Sequence, residues 1–306
     1  MLALAALAAP AVATTGLAWK WDVPHRYDIQ VEVALAEQLV LRKDQNAEAH
    51  IRGFGVRLVT TCAATGSQGK AVVLGCAVDD VAFTATPVPS SVGRVVEVLD
   101  EMDAKLTGHA LRVVLTNDGK VRSVELDGVA ARDDRARQNN ETLRLVMTRA
   151  VAALDLELPA KGDDKGRAAW DQSTPLAVGF PSTAGAFGQV AVTHTLTKAD
   201  GALVTIQSLG HGNVGSGEMV KVGADGADQP ANLFDVQLKG WCNFDTAMGA
   251  IVGRAYHVEG VASASSMLAQ AGTAPPYVQD LKLTLIKPED PAPQLDPNAE
   301  TAATAP

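Results

Sequence analysis

The sequence predicts a mainly antiparallel β protein, a long curved sheet or open half-barrel packed against one principal amphipathic helix. Three observations predict it. Apolar and polar residues alternate with a period of two near both ends, in His25 to Leu41 and in Tyr277 to Lys287, as half-buried strands require. Between these ends, successive strand-like runs meet at glycine-bearing turns. Only one stretch, 133–158, places its apolar residues at helical spacing.

In the first strand Tyr27, Ile29, Val31, Val33 and Leu35 share one face, and Asp28, Gln30 and Glu32 share the other. Phe54 to Cys62 and Lys70 to Phe83 form a hairpin turning at Ser67-Gln68-Gly69. That fold sets Cys62 opposite Cys76, where cross-strand Cβ atoms lie ~5 Å apart, close to what a disulfide needs. In an oxidising compartment a disulfide is expected, the alternative being two free buried thiols. The third cysteine, Cys242, reads as a small buried hydrophobe. Leu111 to Thr116 and Val121 to Leu126 flank Asn117-Asp118-Gly119, a turn that accepts positive φ.

At 133–158 the period changes. Leu143, Met147, Val151, Leu154 and Leu158 recur every three or four residues, while Arg135, Gln138, Asn139 and Glu141 stay polar. Asp133 or Asp134 supplies an N-cap and Pro159 the stop. Residues 159–188, with a charged loop at 161–167 and with Pro175 and Pro181, read as a surface connection. Next come hairpins at 190–209, turning at Gly201, and at 234–264, turning at Gly249. The strand at 277–287 closes the sheet.

The domain plan is therefore a signal peptide and leader at 1–18, one β-rich domain at 19–287, and a disordered tail at 288–306. Within the domain lie a β half (25–130), the helix (133–158), the connection (159–188) and a second β half (189–287). The leader rests on the apolar run Leu2 to Ala9 and the adjoining Ala11-Val12-Ala13, which fits export and cleavage near Thr14. The competing reading is a buried N-terminal helix, which Pro10 leaves little room for. No run is long enough for a transmembrane helix. The tail, rich in proline and acid, has nothing to bury.

Apolar residues make up 47% of the 306, enough for a sizeable core, and the net charge is −9. That acidity argues against a nucleic-acid partner, which needs a clustered basic face. Gly210-His-Gly-Asn-Val-Gly215 spells a dinucleotide fingerprint, but Ser216 to Gly226 have turn and strand composition. The pyrophosphate needs a helix N-terminus there, so the segment reads as a flexible glycine-rich loop. The six histidines are isolated, His211 included, and no set with metal-ligand spacing exists. Asp79 and Asp80 are strand neighbours on opposite faces, and Gly215-Ser216-Gly217 lacks the spacing of a nucleophile elbow. No cofactor, metal or catalytic residue is expected, and an enzyme ranks third among the functional readings.

In layout, residues 25–287 resemble the LolA-like envelope carriers, in which a curved half-barrel closes over helices around an apolar pocket. The resemblance implies an exported, non-catalytic protein with a lipid or other apolar ligand. The ligand would then lie between Leu143, Met147, Val151 and Leu154 of the helix and Ile29, Val31 and Val33 of the first strand. Ordinary core packing is the competing reading of that stripe. A structural or protein-interaction module of the envelope is the alternative function.

Overall fold

The computed structural model describes residues 17–42, 48–87, 99–100, 102–103, 105–128, 134–159, 169–178, 186–216, 219–222, 227–230, 233–262 and 277–287. The expected leader up to residue 16, the N-cap at Asp133, the charged loop at 161–167 and the tail at 288–306 lie outside them. The strands are β1 (His25–Arg42), β2 (Glu48–Gln68), β3 (Ala71–Pro87), β4 (Ala110–Leu115), β5 (Val121–Asp127), β6 (Ala169–Val178), β7 (Ala186–Asp200), β8 (Leu203–Ser216), β9 (Met219–Val222), β10 (Ala227–Pro230), β11 (Leu233–Asp245), β12 (Ala250–Ala262) and β13 (Tyr277–Leu285). Helix α1 spans Asp134–Val151 and runs into a 3-10 turn at Ala152–Leu154.

Eleven strands form one antiparallel sheet in the order β5-β4-β3-β2-β1-β13-β12-β11-β8-β7-β6, with β9 and β10 as a separate pair. The chain starts at the centre and steps outward to β5 at one edge. It crosses through α1 to β6 at the other edge, and meanders back to β13 beside β1. Antiparallel neighbours need only short turns, so the one long crossover falls where the chain changes edges. Each half is thus a meander, and the β1–β13 pairing, Tyr27 opposite Leu285 through Ala34 opposite Val278, joins them.

The inward face of β1 is as the alternation predicts: Tyr27, Ile29, Val31 and Val33 are buried. The cystine hairpin also forms as expected, with Cys62 paired to Cys76 in register and bonded to it. Hairpins β4–β5, β7–β8 and β11–β12 turn through Gly119, Gly201 and Gly249.

Four features depart from the sequence reading. Strand β13 does not close the sheet but sits in its middle, because alternation reports which face is buried and not which strands are neighbours. The stretch 159–188 carries β6, a full strand paired along β7. Pro175 obscured it, yet proline is tolerated on an edge strand, where no ladder hydrogen bond is lost. The helix stops at Leu154 rather than at Pro159, with Asp155 leaving helical geometry at ψ 85°. The glycine-rich segment 210–215 is not a loop but part of β8. A Cβ at Gly212 would come 2.7 Å from the Gln189 carbonyl oxygen of β7, so this glycine permits a close strand approach.

Helical backbone also recurs at Leu99, Asp100, Met102, Asp103, Lys105 and Leu106. Met102 and Leu106 are buried, and Asp103 accepts a hydrogen bond from the Phe83 amide at 3.2 Å. The Leu99, Met102, Leu106 spacing was the available signal. Packing begins before the expected domain start, since Leu17 is already in the core.

Candidate ligand-binding cavity

The site is built by the segment immediately after α1. Asp155 accepts a hydrogen bond from the Val121 amide at the start of β5 through Oδ1 (2.9 Å). Two residues on, the Glu157 amide donates to Gln172 Oε1 of β6 (3.0 Å), and Trp170 Nε1 donates to the Glu157 carbonyl (2.6 Å). Strands β5 and β6 are the opposite edges of the sheet. With neighbouring strands ~4.8 Å apart, a flat sheet of this order would hold them roughly 48 Å from each other. Residues 155–157 bond to both. The sheet is therefore curled into an open half-barrel, and this strap bridges its two edges.

Further bonds hold the strap from below and from the side. Arg254 of β12, itself buried, donates through one nitrogen to the carbonyls of Ala153 and Asp155, both at 2.9 Å. The Leu158 amide donates to the Asp118 carbonyl (2.7 Å), and Trp19 Nε1 to the Leu156 carbonyl (3.2 Å). Gly119, at φ +100°, lets the β4–β5 turn approach: a Cβ there would lie 2.5 Å from the Leu156 oxygen. These bonds supply the partners that the end of a helix otherwise lacks, which is why the helix yields to an extended strap at Asp155.

Beside the strap lies a buried polar row on the inward face. His194 of β7 is hydrogen-bonded to Ser208 of β8 (2.9 Å) and Gln172 of β6 (3.0 Å). Gln172 Oε1 already accepts from the Glu157 amide, so it can only accept from His194 as well. Nε2 therefore carries the proton, and Nδ1 accepts from the Ser208 hydroxyl. Burial pushes the His194 pKa down to about 3, with Arg254 adding to the effect. The imidazole is neutral at physiological pH.

Between α1, the strap, both sheet edges and the sheet floor is a cavity of about 550 Å³. Its apolar wall includes Val121 and Val124 of β5, Leu145 of α1, Leu176 of β6 and Leu238 of β11, and its polar groups include Arg149, Asp155, Tyr256 and Gln279. The Arg149 guanidinium lies over the Phe54 ring, 5.3 Å from its centroid. Burial disfavours that cation, against the pull of the Tyr277 and Tyr256 phenols. Burial likewise pushes the Asp155 carboxyl up, opposed by the Val121 amide and by Arg254. Asp155 is 2% exposed, and its Oδ2 has no hydrogen-bond partner among the described residues. Burial raises Tyr256 to about 12.

The helix residues expected to line a site behave differently. Leu143, Met147, Val151 and Leu154 are at most 1% exposed, as are Ile29 and Val31, and Val33 is also buried. All belong to one core, and none lines the cavity. The cavity takes Arg144, Leu145, Thr148, Arg149 and Ala152 instead, the opposite side of the same helix at 100° per residue. Among the described residues no cluster of three or more His, Cys, Asp or Glu could hold a metal, and no helix is long and apolar enough to cross a membrane. His211 lies exposed on the outward face of β8.

No family model and no curated protein matches the chain. Among solved structures, one describing lipid–protein interactions in lipovitellin is similar over 89% of this chain at 10% identity, with a TM-score of 0.49. The chain spans about a quarter of that structure's length, 26%.

Proposed function

We propose that the protein is an exported, non-catalytic binding protein that holds one apolar or lipidic ligand in the cavity between α1, the strap and the sheet. The observation that carries this reading is the cavity itself. Its volume of about 550 Å³ lies within the ~300–1,000 Å³ usual for small-molecule sites, and although polar residues are numerous in its wall, most of the surface it exposes is apolar. The Cys62–Cys76 disulfide is compatible with export, since such bonds persist in oxidising compartments. The buried stripe of α1 serves as the core that fixes the helix, and its other side faces the ligand.

Native mass spectrometry of gently purified protein tests the reading. Wild type is expected to carry a small-molecule adduct, and Ala152→Trp, which fills the cavity from the helix side, is expected to lose it while keeping a cooperative melt. An adduct retained at full occupancy in Ala152→Trp would refute the cavity as the site.

The interaction-module alternative draws on the outward face. Leu209 and Trp241 are 51% and 44% exposed there on neighbouring strands, where diagonal side chains can touch. Size-exclusion chromatography of wild type against Trp241→Ser separates this reading, which expects a self-associated or partner-bound species that the variant loses.

A further inference from the structure

The unmet hydrogen-bonding capacity of the cavity wall narrows the ligand class, granted that the cavity is the binding site. Asp155 lines the cavity and is 2% exposed. Its Oδ1 is held by the Val121 amide at 2.9 Å, and its Oδ2 has no hydrogen-bond partner among the described residues. Arg254 gives its hydrogen bonds to the Ala153 and Asp155 carbonyls and not to this oxygen. A buried acceptor left without a donor is costly, and a ligand that supplies the donor recovers that cost. The cations of the wall have no such need. Arg149 has the Phe54 ring and a further partner in the fold, Arg144 has Glu141, and Arg122 is exposed at the sheet edge. An anionic head would meet the Asp155 carboxylate, and a cationic one would meet Arg149 and Arg144 in the same wall. A neutral donor meets neither obstacle.

We propose that the ligand is a neutral single-chain amphiphile whose head is a hydroxyl that donates to Asp155 Oδ2 and whose chain lies along Val124, Leu145, Leu176 and Leu238. Those four side chains belong to the apolar part of the wall, and the volume is that of one small molecule. Recognition then has two parts: burial of the chain supplies affinity, and Asp155 selects the head. Two further groups of the wall suit the same head. Tyr256, raised to about 12 chiefly by burial, stays a neutral phenol able to donate to the hydroxyl oxygen. Gln279 already accepts from the Tyr277 hydroxyl through Oε1, so its amide nitrogen is the group left to offer, again to an acceptor such as a hydroxyl oxygen.

Isothermal titration of the full chain, freed of bound lipid, tests this at about pH 8, roughly four units above the reference carboxyl pKa. The probes are dodecanol, dodecyl methyl ether, dodecanoate and dodecyltrimethylammonium. Dodecanol is expected to bind more tightly than the other three, the ether included, although the ether is the more apolar. Asp155→Asn keeps an oxygen for the Val121 amide and turns Oδ2 into an amide donor, from which an alcohol or an ether oxygen can accept. The dodecanol-to-ether affinity ratio should therefore be ~10-fold larger in wild type than in the variant, the worth of one hydrogen bond. The wild-type series decides the head-group question even if Asp155→Asn fails to fold. An ether bound as tightly as dodecanol, or a charged probe bound more tightly, would overturn the hydroxyl head while leaving the cavity reading intact. Binding of none of the four would overturn both. An unchanged ratio in a folded Asp155→Asn would overturn Asp155 as the selecting group.

Discussion

Acidification should destabilise this protein through His194, and the size of the effect can be worked from its surroundings. The ring is 1% exposed, and both nitrogens are used, one by Ser208 and one by Gln172. Protonation would turn the acceptor facing Ser208 into a donor and bury a cation near Arg254. The folded-state pKa therefore falls from 6.5 to about 3. Because it is depressed, the unfolded chain takes up the proton first, so the contribution of His194 to stability is full above the unfolded pKa and is lost as pH falls toward the folded one. Taking ~1.36 kcal/mol per pKa unit, lowering the pH from about 7 to about 5 costs ~2 kcal/mol through this group alone.

Asp103 opposes it in part. Burial raises its pKa from 3.8 to about 6, so its folded form binds a proton more readily and its contribution improves as pH falls through that window. Comparison of wild type with His194→Asn, which keeps a polar group beside Ser208 and does not titrate, isolates the histidine. Urea denaturation at both pH values should show a pH-dependent loss larger in wild type than in the variant by ~2 kcal/mol. Equal losses in the two proteins would refute the buried neutral histidine and the tautomer assigned to it.

Two further outcomes are expected. Met147→Ala should cost ~2–5 kcal/mol in denaturant unfolding, since the side chain is fully buried in the core, and should leave ligand retention unchanged. A nearly silent stability effect with loss of ligand would return the site to the core stripe of α1. Replacing Cys62 and Cys76 by serine should cost ~3 kcal/mol by the loop-entropy relation for a sequence separation of 14, and an unchanged urea midpoint would refute a stabilising role for the bond.

Much of the fold was legible because periodicity reports directly on burial. The alternation around Ile29 and Val31 gave the inward face of β1, the spacing about Gly69 gave the Cys62–Cys76 register, and the helical repeat gave the buried stripe of α1. The candidate site was less legible. On a helical wheel Arg149 falls on the polar side and reads as a solvated charge, and only the tertiary fold buries it, with its guanidinium over the Phe54 ring of β2. Asp155 reads as one more residue of the helix that Pro159 should end. Its role at the bend comes from Val121 and Arg254, 34 and 99 residues away.

The sequence by itself determined the apolar faces of β1 and α1 and the turns at Gly69, Gly119, Gly201 and Gly249, because each of these is set by neighbours within a few residues. Only the tertiary structure decided that β13 lies at the centre, that β6 is an edge and that the strap joins β5 to β6. Strand order and curvature depend on bonds between distant segments, and a local pattern carries no record of its partner. The cavity is a product of that curvature. The same helix offers one side to the core and the other to the cavity, and only the closure of the sheet over Arg149 and Asp155 tells the two apart.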